Sequence, residues 1–133
     1  MTWLLDTNTL VYLLNGEVRV RGRANEAGRS GRVVTSIIVV AELLYGVERS
    51  TRQEANRRHL EKELELLEIV PVSLGAAAQF GRLKAALRAK GINKTDLDLL
   101  IAATALDLDA TLVTNDGGLL DGTIPGLTVE NWA

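Results

Sequence analysis

Two periodicities alternate along the chain. Short apolar runs over residues 2–5, 32–35, 68–72 and 110–114 have the length of buried strands, and a short last strand is expected over 127–130. Between them lie stretches with helical spacing. Leu10, Val11, Leu13 and Leu14 form one side of a helix from Thr7, stopped by Gly16. Ser36 caps an apolar helix running to about Gly46. Residues 51–68 are charged, with Leu60, Leu64 and Leu67 on one stripe. Two more helices are expected, over 76–90 with Gly91 as its stop, and from Thr95 to about Leu108. Residues 17–31, with Gly22, Gly28 and Gly31, predict a short imperfect helix and a loop, and 115–126 a Gly-rich loop. Pro71, late in the third strand, suggests an edge position. Alternating strands and helices place the chain in the α/β class with a mainly parallel sheet.

The 133 residues suit one domain of ordinary size, and 47% hydrophobic residues with 24% charged excludes disorder. No apolar stretch approaches the ~20 residues of a membrane span, so no membrane partner is expected. There is no Cys, hence no disulfide framework and no thiolate metal site, and the first residues lack the basic segment of a signal peptide. Both features fit a cytoplasmic location.

A net charge of −2 argues at first against nucleic acid. Its placement changes that. Residues 1–60 hold nine Arg and six acids, for +3, while residues 61–133 hold six Lys and Arg and eleven acids, for −5. The Arg form two groups: Arg19, Arg21, Arg23, Arg29 and Arg32, then Arg49, Arg52, Arg57 and Arg58. Either they contact phosphate, or they are an ordinary solvated face mixed with Glu17, Glu26, Glu48 and Glu54.

Several carboxylates stand out of place. Asp6 follows Trp3-Leu4-Leu5 at a strand's carboxyl end, where parallel sheets bind ligands, and Asp116 follows the fourth strand by two residues. Each also suits an ordinary turn or helix cap. Glu42 sits in a helix that is apolar on nearly every face, so it needs a partner or a metal. The alternative is an Arg from another element. Asp96 and Asp98 open a helix behind Thr95 in a capping-box-like pattern, and the residues alone do not choose between them. Together, acids at element ends without Cys suit a hard divalent cation, Mg²⁺ or Mn²⁺, and metal-activated water attacking a phosphodiester. The single His59, beside Arg57 and Arg58, reads as a surface residue.

Leu4-Leu5-Asp6-Thr7-Asn8, the segment from Ser36 to Glu42-Leu43-Leu44-Tyr45-Gly46, Asp98-Leu99-Leu100-Ile101-Ala102-Ala103, and Leu112-Val113-Thr114-Asn115-Asp116 occur in an order that resembles the PIN-domain ribonucleases, specifically VapC-type toxins. The ending from Ile124 to Trp132 is similar as well, so the resemblance spans residues 1–133 as a single PIN domain. It implies a three-layer α/β fold with sheet order 3-2-1-4-5, and a Mg²⁺- or Mn²⁺-dependent endoribonuclease that is the toxin of a toxin–antitoxin pair. Asp6, Glu42, Asp98 and Asp116 match the family's metal-binding acids. Thr7 or Asn8, and Ser36 or Thr35, match its small polar site residues, and Asn115 and Thr114 fall in the fourth-acid loop. The implied partners are RNA, a cognate VapB-type antitoxin held in an apolar groove, and a second copy in a homodimer. Leu13, Leu43, Leu44 and Tyr45 are candidates for that groove or for the core. Two features depart from the pattern: Asp96 is an extra acid, and Gly117-Gly118-Leu119-Leu120 replaces an aromatic after Asp116. The competing functions are a structure-specific DNA nuclease and a non-catalytic partner in an antitoxin–promoter DNA complex. A phosphotransferase using Asp6 fits less well, because Asn8 stands where that chemistry has a second Asp.

Overall fold

The computed structural model describes residues 1–133. Its elements are β1 (Thr2–Leu5), α1 (Thr7–Leu14), α2 (Val18–Ser30), β2 (Arg32–Ser36), α3 (Ile37–Arg49), α4 (Gln53–Leu64), β3 (Glu68–Val70), α5 (Leu74–Ala89), α6 (Asp96–Asp107), β4 (Thr111–Val113), α7 (Gly117–Leu120) and β5 (Val129–Glu130). The five strands pair in parallel in the order β3-β2-β1-β4-β5, with helices on the flanks, as the resemblance implied.

The central strand β1 is apolar from Trp3 to Leu5 because neighbours cover it on both sides and both faces. Trp3, Leu4 and Leu5 are buried, and Leu5 stands in register with Thr35 of β2 and with Val113 of β4. That register sets the site. One residue further on, the chain turns from β1 into α1 at Asp6, whose N–H donates to the Val113 carbonyl at 3.0 Å. The edge strands β3 and β5 have three and two residues, which leaves little open backbone for a stray strand to pair with. Pro71 directly follows β3, the edge strand it was expected to mark.

The structure corrects the reading of residues 17–31. Instead of an imperfect helix and a loop, α2 is a continuous helix of 13 residues. Glu17 caps it by accepting from the Arg19 N–H at 2.9 Å. Val20, Ala24 and Ala27 face inward at helical spacing, while Gly22 and Gly28 lie where a Cβ would meet open space. The glycines are tolerated because they are solvent-facing, and burial of the other face supplies the stabilisation that propensity lacks. The loop expected over 115–126 also contains order: α7 forms there, with Leu119 buried. Lys94 pins it by donating to the Gly118 carbonyl and to Asp121 Oδ2. No helix is long and apolar enough to cross a membrane.

Candidate active site

The carboxyl ends of β1, β2 and β4 carry or lead into Asp6, Ser36 and Asp116, whereas Glu42 and Asp98 come from α3 and α6. Asp6 ends β1 and caps α1, its Oδ1 accepting from the Thr9 N–H at 3.0 Å. It is 4% exposed, and burial pushes its carboxyl above the ordinary carboxylate range. The Thr114 hydroxyl and the Thr9 N–H and hydroxyl pull it partly back, and the charge of Asp116 pushes it up again. Asp6 is therefore both a helix cap and a buried carboxyl whose ionised form is costly.

Asp116 stands at the N-cap position of α7, yet its carboxylate makes no capping hydrogen bond. Its N–H donates to Thr114 Oγ1 at 2.9 Å, which turns the chain after β4 back toward Asp6. The β1–β4 pairing thus brings the first and fourth of the expected acids together.

Glu42 is half-buried on α3, and its partner is neither an Arg nor a second acid. The Thr7 hydroxyl donates to its Oε1 at 2.6 Å, linking α3 to the residue after Asp6. Asp98 lies in the first turn of α6, where its N–H donates to the Thr95 hydroxyl at 3.2 Å. The Asp98 carboxylate forms no ion pair or hydrogen bond, whereas Asp96 is paired with Lys84 at 2.7 Å. Of the two acids the sequence could not choose between, Asp98 is the one without a partner. No three acidic or His side chains are grouped closely enough to hold a metal ion between them. Four ionised carboxylates in mutual contact would repel strongly, and hydrogen bonds to Thr7 and Thr9 hold two of them in separate places.

The small polar residues divide in two. The Ser36 hydroxyl is buried and caps α3, accepting from the Ile38 N–H at 3.0 Å, and Thr35 Oγ1 donates to the Leu5 carbonyl at 2.9 Å. Both hydroxyls serve the backbone. Asn8, by contrast, is exposed, and its Nδ2 donates to Asn115 Oδ1 at 3.3 Å.

Tyr12 is a site-rim residue that sequence reasoning missed, naming only its neighbours Val11 and Leu13 on this helix. Its hydroxyl accepts from Asn115 Nδ2 at 2.7 Å. The signal available was the polar tip on an otherwise buried ring, which wants a partner.

The surroundings are partly as expected. Leu13 and Leu43 are buried, but Tyr45 is 64% exposed with Arg49 stacked 5.4 Å over its ring, so it is not core. A cleft of about 460 Å³ opens between α1, α3 and α4, lined by Thr7, Val11, Leu14, Glu42, Leu43 and His59 among others. His59 Nε2 lies 2.6 Å from the Leu14 carbonyl at the end of α1, a structural engagement of the only His. Of the N-terminal Arg, four are committed: Arg21 to Glu63, Arg23 to Glu130, Arg32 to Glu68 and Arg57 to Glu48. Arg19, Arg29, Arg49, Arg52 and Arg58 are exposed and form no ion pair.

Residues 3–122 match the PIN domain family. Ribonuclease VapC2 of Rickettsia felis is 37% identical over 133 residues, covering 99% of this chain and 98% of that protein. The tRNA(fMet)-specific endonuclease VapC of Salmonella typhimurium is 32% identical over the same shares. Among solved structures, VapBC2 from Rickettsia felis bound to a DNA fragment from their promoter contains a chain similar to this one, with TM-score 0.95, 36% identity and all of both chains covered. DNA-bound VapBC from Salmonella typhimurium gives 0.92 at 31% identity, covering 100% of this chain and 99% of that one.

Proposed function

Because the chain belongs to the PIN-domain family, among the VapC ribonucleases, we propose that it is an endoribonuclease and the toxin of a toxin–antitoxin pair, cutting RNA phosphodiester bonds with Mg²⁺ or Mn²⁺. One observation carries this reading. Parallel pairing of β1 with β4 sets buried Asp6 at the carboxyl edge of the sheet beside the segment that carries Asp116, and burial first, then the Asp116 charge, raises the Asp6 carboxyl. A cation bound at this edge would offset the cost of ionising buried Asp6.

The donor chemistry fits a hard divalent ion. There is no Cys, the one His is engaged at the end of α1, and the uncommitted donors are carboxylate oxygens. Asp6, Glu42, Asp98 and Asp116 would hold the ion, which supplies an activated water and positive charge for in-line attack on the phosphate. The rest falls to the chain itself. Asn8, exposed with one amide N–H unengaged, is available to a phosphate oxygen. The unpaired Arg49, Arg52 and Arg58 would hold RNA backbone, giving salt-sensitive binding with little sequence information. Exposed single-stranded bases would then set specificity.

The cleft between α1, α3 and α4 supports the antitoxin part of the reading. It runs from the apolar Val11, Leu14 and Leu43 to the carboxylate of Glu42, suiting an apolar segment of a VapB-type partner that ends in a cation. A homodimer and a cytoplasmic location belong to the same proposal. Sedimentation at micromolar concentration checks the dimer.

The test is direct. The purified chain is given matched RNA and DNA strands with Mg²⁺, Mn²⁺ or a chelator. Cleavage of RNA alone, abolished by the chelator, is expected. Equal cleavage of DNA, or cleavage that survives the chelator, contradicts the proposal.

A further inference from the structure

The segments that carry Asp6 and Asp116 are tied together by side chains that touch neither acid. Asn8, two residues after Asp6, donates through Nδ2 to Asn115 Oδ1 at 3.3 Å. Asn115, the residue before Asp116, donates through its own Nδ2 to the Tyr12 hydroxyl at 2.7 Å. Both ends of the Asn115 amide are therefore occupied, and its plane is set. The bond to Tyr12 is the shorter and the more buried of the two, because the Tyr12 ring packs against the core from α1. The outer bond is exposed and long, so by itself it would hold Asn8 loosely.

We propose that Tyr12 is a positioning residue of this site: its hydroxyl fixes the Asn115 amide, which in turn holds Asn8 and keeps the Asp6 and Asp116 segments in register. The proposal rests on the nuclease reading above and extends it to a residue outside the acid set. Its physical basis is that α1 and the loop after β4 join through only a few groups at this edge, one of them the Asp6 N–H on the Val113 carbonyl. A side-chain bridge beyond that last backbone bond limits how far the two carboxyl groups can drift. It also removes rotamer freedom from an exposed Asn, which otherwise reorients in solution. Small displacements of groups around a reacting phosphate are costly to rate, so an outer support of this kind acts on turnover more than on binding.

Tyr12→Phe keeps the ring and removes only the hydroxyl, and it is compared with Asn115→Ala and with the double variant. Three quantities are read. The first is the side-chain amide ¹H–¹⁵N resonances of Asn8, identified by their absence in Asn8→Ser. The second is kcat and KM for RNA cleavage with Mg²⁺, and the third is Tm. In Tyr12→Phe the Asn8 resonances are expected to shift, and kcat to fall about tenfold with KM near wild type. Tm should stay within about 4 °C of wild type, and the double variant should lose no more activity than Asn115→Ala alone. Unmoved Asn8 resonances, full turnover, or additive losses overturn the proposal. If the wild-type chain cleaves no RNA, the nuclease reading fails, while the resonance shift still decides whether Tyr12 holds Asn8 through Asn115.

Discussion

The Thr7 hydroxyl donates to Glu42 Oε1 at 2.6 Å, so the residue after one candidate ligand holds the next. In the absence of a cation this bond satisfies a half-buried carboxylate that has no Arg. Thr7→Val keeps the shape and deletes the donor. The expected result is a stability loss of about 1–2 kcal/mol, with roughly tenfold slower RNA cleavage, and Thr7→Ser should restore both. Thermal unfolding and cleavage rates check it. Unchanged values in Thr7→Val would mean that the bond does not hold Glu42 in solution.

Asp6→Asn is expected to raise stability at neutral pH while removing activity. Burial raises the Asp6 carboxyl above its unfolded value, so the folded protein binds that proton more tightly than the unfolded chain does. The ionised form therefore costs stability above the folded pKa, and the cost disappears as pH falls below the ordinary Asp value. Asn keeps an acceptor for the Thr9 N–H and so keeps the cap. Melting curves of both proteins from pH 4 to 8 should diverge as pH rises, with the variant higher. A variant that melts lower at neutral pH would show that the ionised Asp6 is already compensated.

Asp121 has the opposite sign. Hydrogen bonds from the Thr123 hydroxyl and N–H, then from Lys94, lower its carboxyl from 3.8 to about 2. Its contribution is complete above the unfolded value and is lost as pH falls through about 2. Asp121→Ala should flatten the acid limb of stability between those values. It should also loosen the loop that carries Asp116, seen as faster amide exchange over α7. An unchanged acid limb would remove Asp121 from that account.

Glu63 on α4 is buried at 6% exposure and takes the guanidinium of Arg21, which also donates to the Leu13 carbonyl at 2.9 Å. Removing one partner strands a buried carboxylate. Because water still reaches the Arg21 side, Arg21→Ala is expected to cost about 2–3 kcal/mol. The paired change Arg21→Met with Glu63→Leu should cost less than either single change. Urea unfolding of Arg21→Ala, Arg21→Met, Glu63→Leu and the paired variant tests this, and a neutral Arg21→Ala would contradict it.

Much of the site was legible because parallel strands place chemistry at one edge. Asp6 and Asp116 could be located from the runs Trp3-Leu4-Leu5 and Leu112-Val113 alone, and β1–β4 pairing makes them neighbours. Glu42 was conspicuous because its helix is apolar around it. What escaped were relationships between distant residues and the exposure of single faces. Gly22 and Gly28 read as breaks, yet both lie on the open side of α2. Tyr45 belonged to an apolar run and is solvent-exposed beneath Arg49. The two Arg groups left open a phosphate-contacting or an ordinary solvated face, and Glu63, Glu68 and Glu130, far along the chain, pair with three of them. Asn115 and Tyr12 stand 103 positions apart, beyond the reach of any local pattern.

If Asp6 and Glu42 hold the metal, replacing each with its amide removes cleavage. Asp6→Asn and Glu42→Gln are purified, shown to be folded by circular dichroism, and assayed for Mg²⁺-dependent RNA cleavage. Each should fall by at least about a hundredfold, the scale of losing a group that organises charge at the reacting phosphate. A folded Asp6→Asn or Glu42→Gln that cleaves RNA at the wild-type rate would contradict the site.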